Sequence, residues 1–180
     1  MYYKRMIYFI RHGQTNWNLS RLMQGQTDIP LNDEGRKEAQ KTAEALKGVE
    51  FDEVFCSPLS RALETCKAVV GETPITVDAR LIERNFGVYE GKSLQIMIDE
   101  GFWKETGTQT INGGESLSQV ISRVYNFLDE ITEKYANKTV LIVAHGGVGM
   151  VVKSYFLGKP KDGDYFNYIV RNCEVLTFSN

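Results

Sequence analysis

Cysteine and histidine are scarce in this chain of 180 residues, which contains three cysteines and two histidines. Cys56, Cys66 and Cys173 are too few and too widely spaced for the disulfide framework of a small secreted protein or for a zinc ligand set. Cys66 falls at an apolar position of a predicted helix and Cys173 in a predicted strand, so we expect both to be small buried residues. This cysteine usage indicates a reducing compartment.

Strong net charge and long hydrophobic runs are also missing. The 21 Lys and Arg against 23 Asp and Glu give a net charge of −2, which excludes a general basic field for nucleic acid or an acidic membrane surface. No run approaches the length of a membrane span, and residues 1–5 lead directly into a predicted strand without a signal peptide. We therefore expect a cytoplasmic protein with neither nucleic-acid nor membrane partners, in which any anion site is a local cluster of arginines.

Apolar runs that alternate with helical patterns predict an α/β fold. The predicted strands cover residues 5–11, 52–56, 75–78, 139–144, 168–171 and 173–178. The predicted helices cover residues 33–47, 58–70, 117–135 and 148–157. Ser57 is the predicted cap of the second helix, and Ser116 and Gln119 form a predicted capping box for the third. One domain over residues 1–180 is expected, a three-layer α/β/α sandwich with a mostly parallel central sheet.

Both histidines follow a buried strand and precede a glycine. His12 comes after the apolar run at 6–11, and His145 after the run at 140–144. In open α/β sheets, ligands bind beyond the carboxyl ends of the strands, which is where both imidazoles are expected. A single histidine is more often structural, but two in the same context favour a functional site.

Two arginines lie where a bound anion would stabilise them. Arg61 falls in the first turn of a predicted helix, where the macrodipole disfavours a cation and the free N–H groups favour an anion. The alternative is a surface arginine paired with Glu64 or Asp52. Arg11 ends a buried strand beside His12 and needs a partner. If the arginines and histidines converge, they predict a site for phosphate or carboxylate.

Other catalytic signatures are incomplete. Gly147 and Gly149 after a strand suggest a dinucleotide fingerprint, but Val152 stands where the third glycine would be. No Gly-x-Ser-x-Gly nucleophile elbow occurs. The histidines lack the H-x-x-x-H or H-x-H spacing of a metal site, so neither a metal nor a cofactor is predicted.

A set of short motifs surrounds these residues. Residues 11–18 read RHGQTNWN. Further motifs follow at 25–32 with Gly35, at 57–62, at 83–87 with 90–91, at 114–116 and at 145–147. The first resembles the R-H-G-x-T-x-x-N signature of the histidine phosphatase superfamily (branch 1), the phosphoglycerate mutase-like proteins, and the others follow in that family's order. The resemblance extends from about residue 6 to 150 and implies a phosphoglycerate mutase-like fold.

The resemblance implies a reaction through a phosphorylated histidine. His12 would be the nucleophile that takes the phosphoryl group, and Glu83 would protonate the leaving oxygen and later deprotonate the attacking water. Arg11, Arg61 and His145 would bind the phosphoryl oxygens and offset the developing charge. The substrate-binding positions implied in the same way are Asn18, Gln24, Gly25, Arg84 and Gly146.

Two charged residues near this set, Glu115 and Arg84, have structural interpretations as well. The residues alone do not select Glu83 over Glu90 or Glu115, and only the resemblance does. For Glu115 we prefer an interaction with the dipole of the following helix, in its first turn. For Arg84, a surface ion pair is as compatible with the sequence as a substrate contact.

The stretch between Glu83 and His145 favours a phosphatase over a mutase. The family's cofactor-dependent mutases carry a long insertion with extra basic residues there. In this chain the stretch is short, and its cations are Arg84, Lys92, Lys104, Arg123, Lys134 and Lys138. The last three lie on or after the helix predicted at 117–135, away from any site loop. Such a sparsely charged site is more open to water and less able to retain a bisphosphate.

These observations predict a metal-independent phosphomonoesterase that acts on a small phosphorylated metabolite through a phosphohistidine. The alternatives are mutase-type phosphoryl transfer, a metal-dependent hydrolase and a non-catalytic phosphate-binding module. A binding module would need neither the nucleophile His12 nor the acid Glu83. Candidate substrates are a nucleoside or ribazole-type phosphate, a sugar phosphate and a phosphoglycerate.

Residues 13–32 and 101–114 are the longest segments without periodicity, and long loops are often binding loops. In the second segment, Phe102 and Trp103 either cover the pocket and favour an apolar or ring-shaped leaving group, or pack as the core of a short helix. The last predicted strand is expected at a sheet edge. Such an edge could pair with a second copy, so a homodimer is one expectation.

Overall fold

A computed structural model describes residues 6–106 and 111–179, and within them five strands form one sheet. The strands are β1 (Met6–Arg11), β2 (Glu53–Cys56), β3 (Thr76–Val77), β4 (Thr139–Ala144) and β5 (Val175–Ser179). Their order is β3-β2-β4-β1-β5, and all neighbours are parallel except β1 and β5. The mostly parallel sheet is therefore confirmed. Strand β5 lies at an edge, as expected, and its pairing with a second copy stays a prediction.

Four helices follow the predicted periodicity: α2 (Asp33–Ala45), α3 (Ser60–Val70), α5 (Leu117–Lys134) and α6 (Gly146–Leu157). Two short helices, α1 (Asn16–Leu19) and α4 (Leu94–Asp99), were not predicted. The capping box of α5 is present, because Ser116 Oγ accepts from Gln119 N at 3.2 Å and Gln119 Oε1 accepts from Ser116 N at 2.8 Å. No helix within residues 6–106 and 111–179 is long and apolar enough to cross a membrane.

Ser57 is not the cap of α3, contrary to the sequence-based prediction. The helix begins at Ser60, after Leu59, whose side chain makes no capping bond. Asp28, from a distant loop, supplies the cap by accepting from Ser60 N at 2.9 Å and from Ser60 Oγ at 2.7 Å. Ser57 instead lies 2.6 Å from Nε2 of His145. A local motif could not anticipate a cap from so far along the chain.

The strand predicted at 168–171 was also wrong. Tyr165–Tyr168 forms a short 3₁₀ helix, and the next carbonyls bind side chains rather than a neighbouring strand. Val170 O accepts from Arg11 Nη1 at 2.7 Å, and Ile169 O accepts from Lys153 Nζ at 3.3 Å. Cys173, predicted as a buried residue of a strand, lies half-buried in a turn with φ of +54° before β5 begins.

Two hydrophobic cores, one on each face of the sheet, make the predicted three layers. Along β4, Val140, Ile142 and Ala144 belong to the core that contains α5 and α6. The alternate residues Leu141 and Val143 belong to the core that contains α3. This alternation follows from the two-residue period of a strand and accounts for its continuous apolar run.

The parallel pairing of β1 with β4 brings the two histidines together. Arg11 pairs with Ala144 at the carboxyl ends of these strands, and His12 N donates to Ala144 O at 2.9 Å. The two imidazole ring centres are 5.1 Å apart. The site therefore forms at the end of the sheet where the strand-end rule predicts it.

Candidate active site

The ring of His12 is held in one tautomer. Its Nδ1 lies 2.7 Å from Gly13 O, and since a carbonyl oxygen only accepts, Nδ1 carries the proton. Its Nε2 accepts from Arg61 Nε at 3.3 Å. Gly13 is itself fixed because its N–H donates to Thr65 Oγ1 at 3.0 Å. His12 therefore presents an unprotonated Nε2, the form that a nucleophile needs.

Burial and neighbouring cations keep both histidines neutral. Burial lowers the pKa of His12 well below its ordinary value, and the charges of Arg61 and Arg11 lower it further. Burial and the same arginines also lower the pKa of His145 well below its ordinary value. The two residues are 2% and 0% exposed.

Arg61 is a buried arginine and not a surface one. It is 0% exposed, and its guanidinium donates to Gly25 O at 2.7 Å and to Thr27 O at 2.9 Å. The two surface partners that the sequence suggested for Arg61, Glu64 and Asp52, are engaged elsewhere. Glu64 pairs with Arg36. Asp52 likewise binds a lysine. Burial lowers the pKa of Arg61 to about 10, and no carboxylate contacts it directly among the described residues, which favours a bound anion.

Glu90 organises the loop that holds Arg61, a role that sequence reasoning missed. Its carboxylate accepts from the backbone N–H groups of Gln26 and Thr27, both at 2.9 Å, and of Phe86 at 3.2 Å. Gly25 has φ of +54°, and a Cβ there would lie 2.0 Å from Glu90 Oε1. Only glycine therefore permits this loop to close on Glu90. The Gly25 carbonyl is thereby directed at the Arg61 guanidinium.

Arg11 adds a second cation with free hydrogen-bonding capacity. Its Nη1 donates to Val170 O at 2.7 Å, while its buried Nε has no partner among the described residues. Gly146 allows this close approach, because a Cβ there would lie 3.3 Å from Arg11 Cζ. Burial lowers the pKa of Arg11. The unpaired Nε–H of this half-buried cation is a donor of the type that suits a phosphoryl oxygen.

His145 is held by a residue whose site role sequence reasoning missed. Its Nε2 and Ser57 Oγ are 2.6 Å apart, and its buried Nδ1 has no partner within residues 6–106 and 111–179. Ser57 belongs to a matched motif, but local patterns suggested only a helix cap. His145 is fully buried and does not line the cleft, so a contact between its free ring nitrogen and a phosphoryl group stays a prediction.

Glu83 lies at the amino end of α6. Its Oε1 accepts from Arg84 N at 2.8 Å, and its Oε2 accepts from Gly147 N at 3.0 Å. The carboxylate is buried on the cleft wall that His12 also lines. These two backbone N–H groups hold the carboxyl group of Glu83 in place, facing the substrate space.

Arg84 is neither a surface residue nor part of the cleft lining. It is fully buried and donates to Glu115 O at 3.0 Å and to the carbonyl of Phe102. Its guanidinium lies over the rings of Phe86 at 5.7 Å and Trp103 at 5.0 Å from the ring centres. Burial lowers its pKa to about 10. Arg84 therefore supports the aromatic wall from behind, which corrects the surface ion-pair interpretation.

Glu115 does not lie in the first turn of α5, contrary to the sequence interpretation. It precedes the N-cap Ser116 and makes a two-pronged ion pair with Arg123, at 2.8 and 3.0 Å. Arg123 also donates to the carbonyls of Arg80 and Ile82, both at 2.7 Å. This pair supports the segment before Glu83, so Arg123 is closer to the site than its sequence position suggested.

Asn18 and Gln24, two of the predicted substrate-binding residues, line the cleft. Hydrogen bonds to neighbouring residues orient their side chains. Asn18 Oδ1 accepts from Thr15 N at 3.1 Å and from Asn172 Nδ2 at 3.3 Å, which leaves its amide NH₂ for an acceptor. Gln24 Oε1 accepts from Thr15 Oγ1 at 2.9 Å. Asn172 also donates to His12 O at 2.9 Å, a brace that no local motif signals.

These residues surround a cleft of about 640 Å³, part of which is open solvent at its mouth. Of the predicted site residues, those on its wall are Arg11, His12, Asn18, Gln24, Gly25, Arg61, Glu83 and Gly146. His145 lies behind His12, and Arg84 behind the aromatic wall. Trp103 lines the cleft, whereas Phe102 packs beneath it against Phe86 and Tyr89.

Acidification is expected to lower the free energy of unfolding through the two histidines. Both have a lowered pKa when folded, so below about pH 6.5 the unfolded chain binds protons that the folded protein does not. Their contribution is complete above that pH and is lost as the pH falls, by up to about 1.4 kcal/mol per pH unit for each histidine. Urea unfolding between about pH 7.5 and about pH 5.5 measures this slope.

A His145→Gln variant distinguishes the contribution of the histidines to this pH dependence from that of the carboxylates, which titrate at lower pH. On acidification, the free energy of unfolding of the variant should fall by up to about 1.4 kcal/mol less per pH unit than that of the wild type. Equal slopes in the two proteins would show that His145 is protonated alike in the folded and unfolded states.

Comparison with known proteins gives a family match over nearly the whole chain. Residues 7–179 match the histidine phosphatase superfamily (branch 1). The chain belongs to that superfamily. The family and the phosphoglycerate mutase-like fold suggested by the motifs are thereby confirmed.

Members of the histidine phosphatase superfamily with similar sequences or structures carry several different names. The protein named "Probable phosphoglycerate mutase GpmB" from Erwinia tasmaniensis is 31% identical over 94% of this chain and 82% of its own length. Phosphoserine phosphatase from Entamoeba histolytica, solved with phosphoserine, has a TM-score of 0.86 and 28% identity over 97% of this chain and 90% of its own. Alpha-ribazole phosphatase from Shigella flexneri has a TM-score of 0.82 and 26% identity over 96% of this chain and 89% of its own. Family membership therefore does not select one reaction or substrate.

Proposed function

We propose that this protein is a phosphomonoesterase that acts on a small phosphorylated metabolite through a phosphohistidine at His12. The observation that carries the proposal is the orientation of the His12 ring. Its Nδ1 proton is held by Gly13 O, so Nε2 is unprotonated and accepts from Arg61 Nε at 3.3 Å in a cleft that Glu83 also lines. Nucleophile, phosphate-binding cation and acid are thus in one cavity.

In the first step, His12 Nε2 attacks phosphorus and the bond from phosphorus to the leaving oxygen breaks. Glu83 is the acid that gives a proton to that oxygen, and the alcohol departs. Arg61 and Arg11 neutralise the charge on the phosphoryl oxygens, while the free nitrogen of His145 contributes a further polar contact.

In the second step, water attacks the phosphohistidine. The Glu83 carboxylate accepts a proton from that water, the bond between phosphorus and Nε2 breaks, and inorganic phosphate leaves. His12 is regenerated as the neutral tautomer, because Gly13 O keeps the proton on Nδ1. The lowered pKa of His12 favours this neutral form.

The charges on the cleft wall favour hydrolysis over mutase-type transfer. Among its described residues, the wall has only two cations, Arg11 and Arg61, and both lie beside His12. A phosphoglycerate would bring a carboxylate that needs a further cation. The two arginines between Glu83 and His145 are engaged elsewhere: Arg84 does not line the cleft, and Arg123 pairs with Glu115. Water is therefore the better second acceptor.

The test is hydrolysis of para-nitrophenyl phosphate in the presence of EDTA, with alkaline quenching of samples taken during turnover. We expect sustained phosphate release and a phosphoryl group on the peptide that contains His12. Loss of activity with EDTA would indicate a metal-dependent hydrolase. Turnover without a phosphorylated peptide would contradict the histidine intermediate, and transfer to added phosphoglycerate in place of water would indicate a mutase.

A further inference from the structure

We propose that the substrate's leaving group is an uncharged alcohol bearing an apolar ring, and that Trp103 is the surface on which this ring packs. The inference rests on the proposed phosphatase function and names the substrate class of the same cleft. It is carried by the position of Trp103 beside the proposed acid, Glu83.

Gly147 brings these two side chains together. A Cβ at Gly147 would lie 2.4 Å from Glu83 Oε1 and 2.5 Å from Trp103 Cη2. The carboxylate and the edge of the indole therefore lie against the same backbone position. A general acid must be within hydrogen-bond reach of the leaving oxygen. The group attached to that oxygen must consequently lie next to Trp103.

The Trp103 ring is rigidly supported. It is 3% exposed, and its Nε1 donates to Met97 Sδ at 3.0 Å. The guanidinium of Arg84, which does not line the cleft, lies 5.0 Å from the ring centre. Tyr165 N donates to Trp103 O at 2.9 Å. A fixed aromatic surface binds another ring at little entropic cost and favours offset or edge-to-face contact.

The rest of the cleft wall continues this apolar surface. Its apolar residues besides Trp103 are Leu22, Met23, Phe86, Leu94, Met97, Met150, Phe166 and Ile169. Ile169 is 46% exposed, so the apolar surface reaches the mouth of the cleft. Among the described lining residues, the charged side chains are Arg11, Arg61 and Glu83 alone.

This distribution disfavours a charged leaving group. The three charged side chains of the wall are all assigned to the phosphoryl group and its leaving oxygen. A carboxylate or ammonium group on the leaving alcohol would lose water without gaining a partner on the apolar wall. A ring of similar size would instead gain from burial against Trp103.

The test compares kcat/KM for benzyl phosphate, glycerol phosphate and O-phosphoserine. All three have alkyl leaving oxygens, so differences report recognition more than leaving-group acidity. Benzyl phosphate should exceed each of the others by at least about tenfold. Phosphate release from all three with no preference for benzyl phosphate would overturn this inference while the proposed phosphatase function stands. Release from none of them would overturn both.

Variants at the two tryptophans locate the preference. Trp103→Ala should reduce the ratio of kcat/KM for benzyl phosphate over glycerol phosphate by about tenfold, and Trp103→Phe should retain most of it. Trp17, which packs near Gly91 and does not line the cleft, provides the control: Trp17→Ala should leave the ratio unchanged. An unaltered ratio in Trp103→Ala would overturn the assignment.

A second variant covers the case in which Trp103→Ala does not fold. Ile169→Asn places a polar group at the half-exposed mouth of the cleft and should lower the ratio by about threefold or more. An unchanged ratio in this variant would equally contradict an apolar leaving-group site.

Discussion

Replacing His12 by alanine is expected to lower kcat/KM for phosphomonoester hydrolysis by about 10⁴-fold or more. The reason is that the variant removes the only described imidazole on the cleft wall, so the phosphoryl group has no nitrogen to which it can be transferred. The remaining cations still bind phosphate, but water would have to attack the ester directly. Phosphate release measures the loss of hydrolysis, and alkaline trapping measures the loss of the phosphoenzyme.

His12→Asn provides the matched control for structural damage. Asparagine can still hydrogen-bond Gly13 O or Arg61, the two partners of the native ring, yet it is not a nucleophile at neutral pH. The His12→Asn variant should therefore be as inactive as His12→Ala, but its urea unfolding midpoint should be closer to that of the wild type. Activity of His12→Asn within about tenfold of the wild type would rule out His12 as the nucleophile.

Replacing Arg61 by methionine is expected to lower kcat/KM by about 10³-fold. Arg61 is the buried cation that contacts His12 Nε2, so its loss removes charge stabilisation where the phosphoryl group is transferred. Arg61→Lys should recover less than about a tenth of the lost activity. A lysine cannot reproduce the planar fork that binds Gly25 O and Thr27 O while directing Nε at His12.

Arg36 supplies the control for the Arg61 variants. It is an exposed arginine of α2 that pairs with Glu64 of α3, and Arg36→Met should change kcat/KM by less than about twofold. Inhibition by vanadate gives a second measurement, since Arg61→Met should weaken it strongly and Arg36→Met should not. Equal inhibition of wild type and Arg61→Met would show that Arg61 does not bind the phosphoryl group.

Much of the architecture was predictable because the hydrophobic pattern repeats with the period of each element. Helix α5 carries an apolar stripe and a complete capping box, and its bounds fall within a residue of the predicted range. The predictions failed where distant residues decide the backbone's partners. Arg11 and Lys153 take the carbonyls at 169–170 that a strand would have used, and Asp28 caps α3.

The three glutamates show where sequence reasoning about the site ended. Glu83, Glu90 and Glu115 are chemically equal in the sequence, and only family resemblance selected Glu83. The structure separates them by partners: Glu83 faces the cleft against Gly147, Glu90 closes the loop around Gly25, and Glu115 pairs with an arginine. The roles of Glu83 and Glu90 depend on contacts with segments more than sixty residues away, which local patterns do not encode, whereas Glu115 pairs with Arg123 eight residues further along the chain.

By itself, the sequence determined that two histidines and Arg11 lie at the ends of buried strands, and that Arg61 lies at a helix start. These are consequences of periodicity and of the rule that parallel strands end at a common edge. Only the tertiary structure decided which atoms face the ligand. The His12 tautomer depends on Gly13 O, the burial of Arg61 on the loop closed by Glu90, and the apolar wall on Trp103 packed over Gly147. Hydrogen-bond direction and burial are properties of three-dimensional packing, and they convert a set of suitable residues into a site with a defined chemistry.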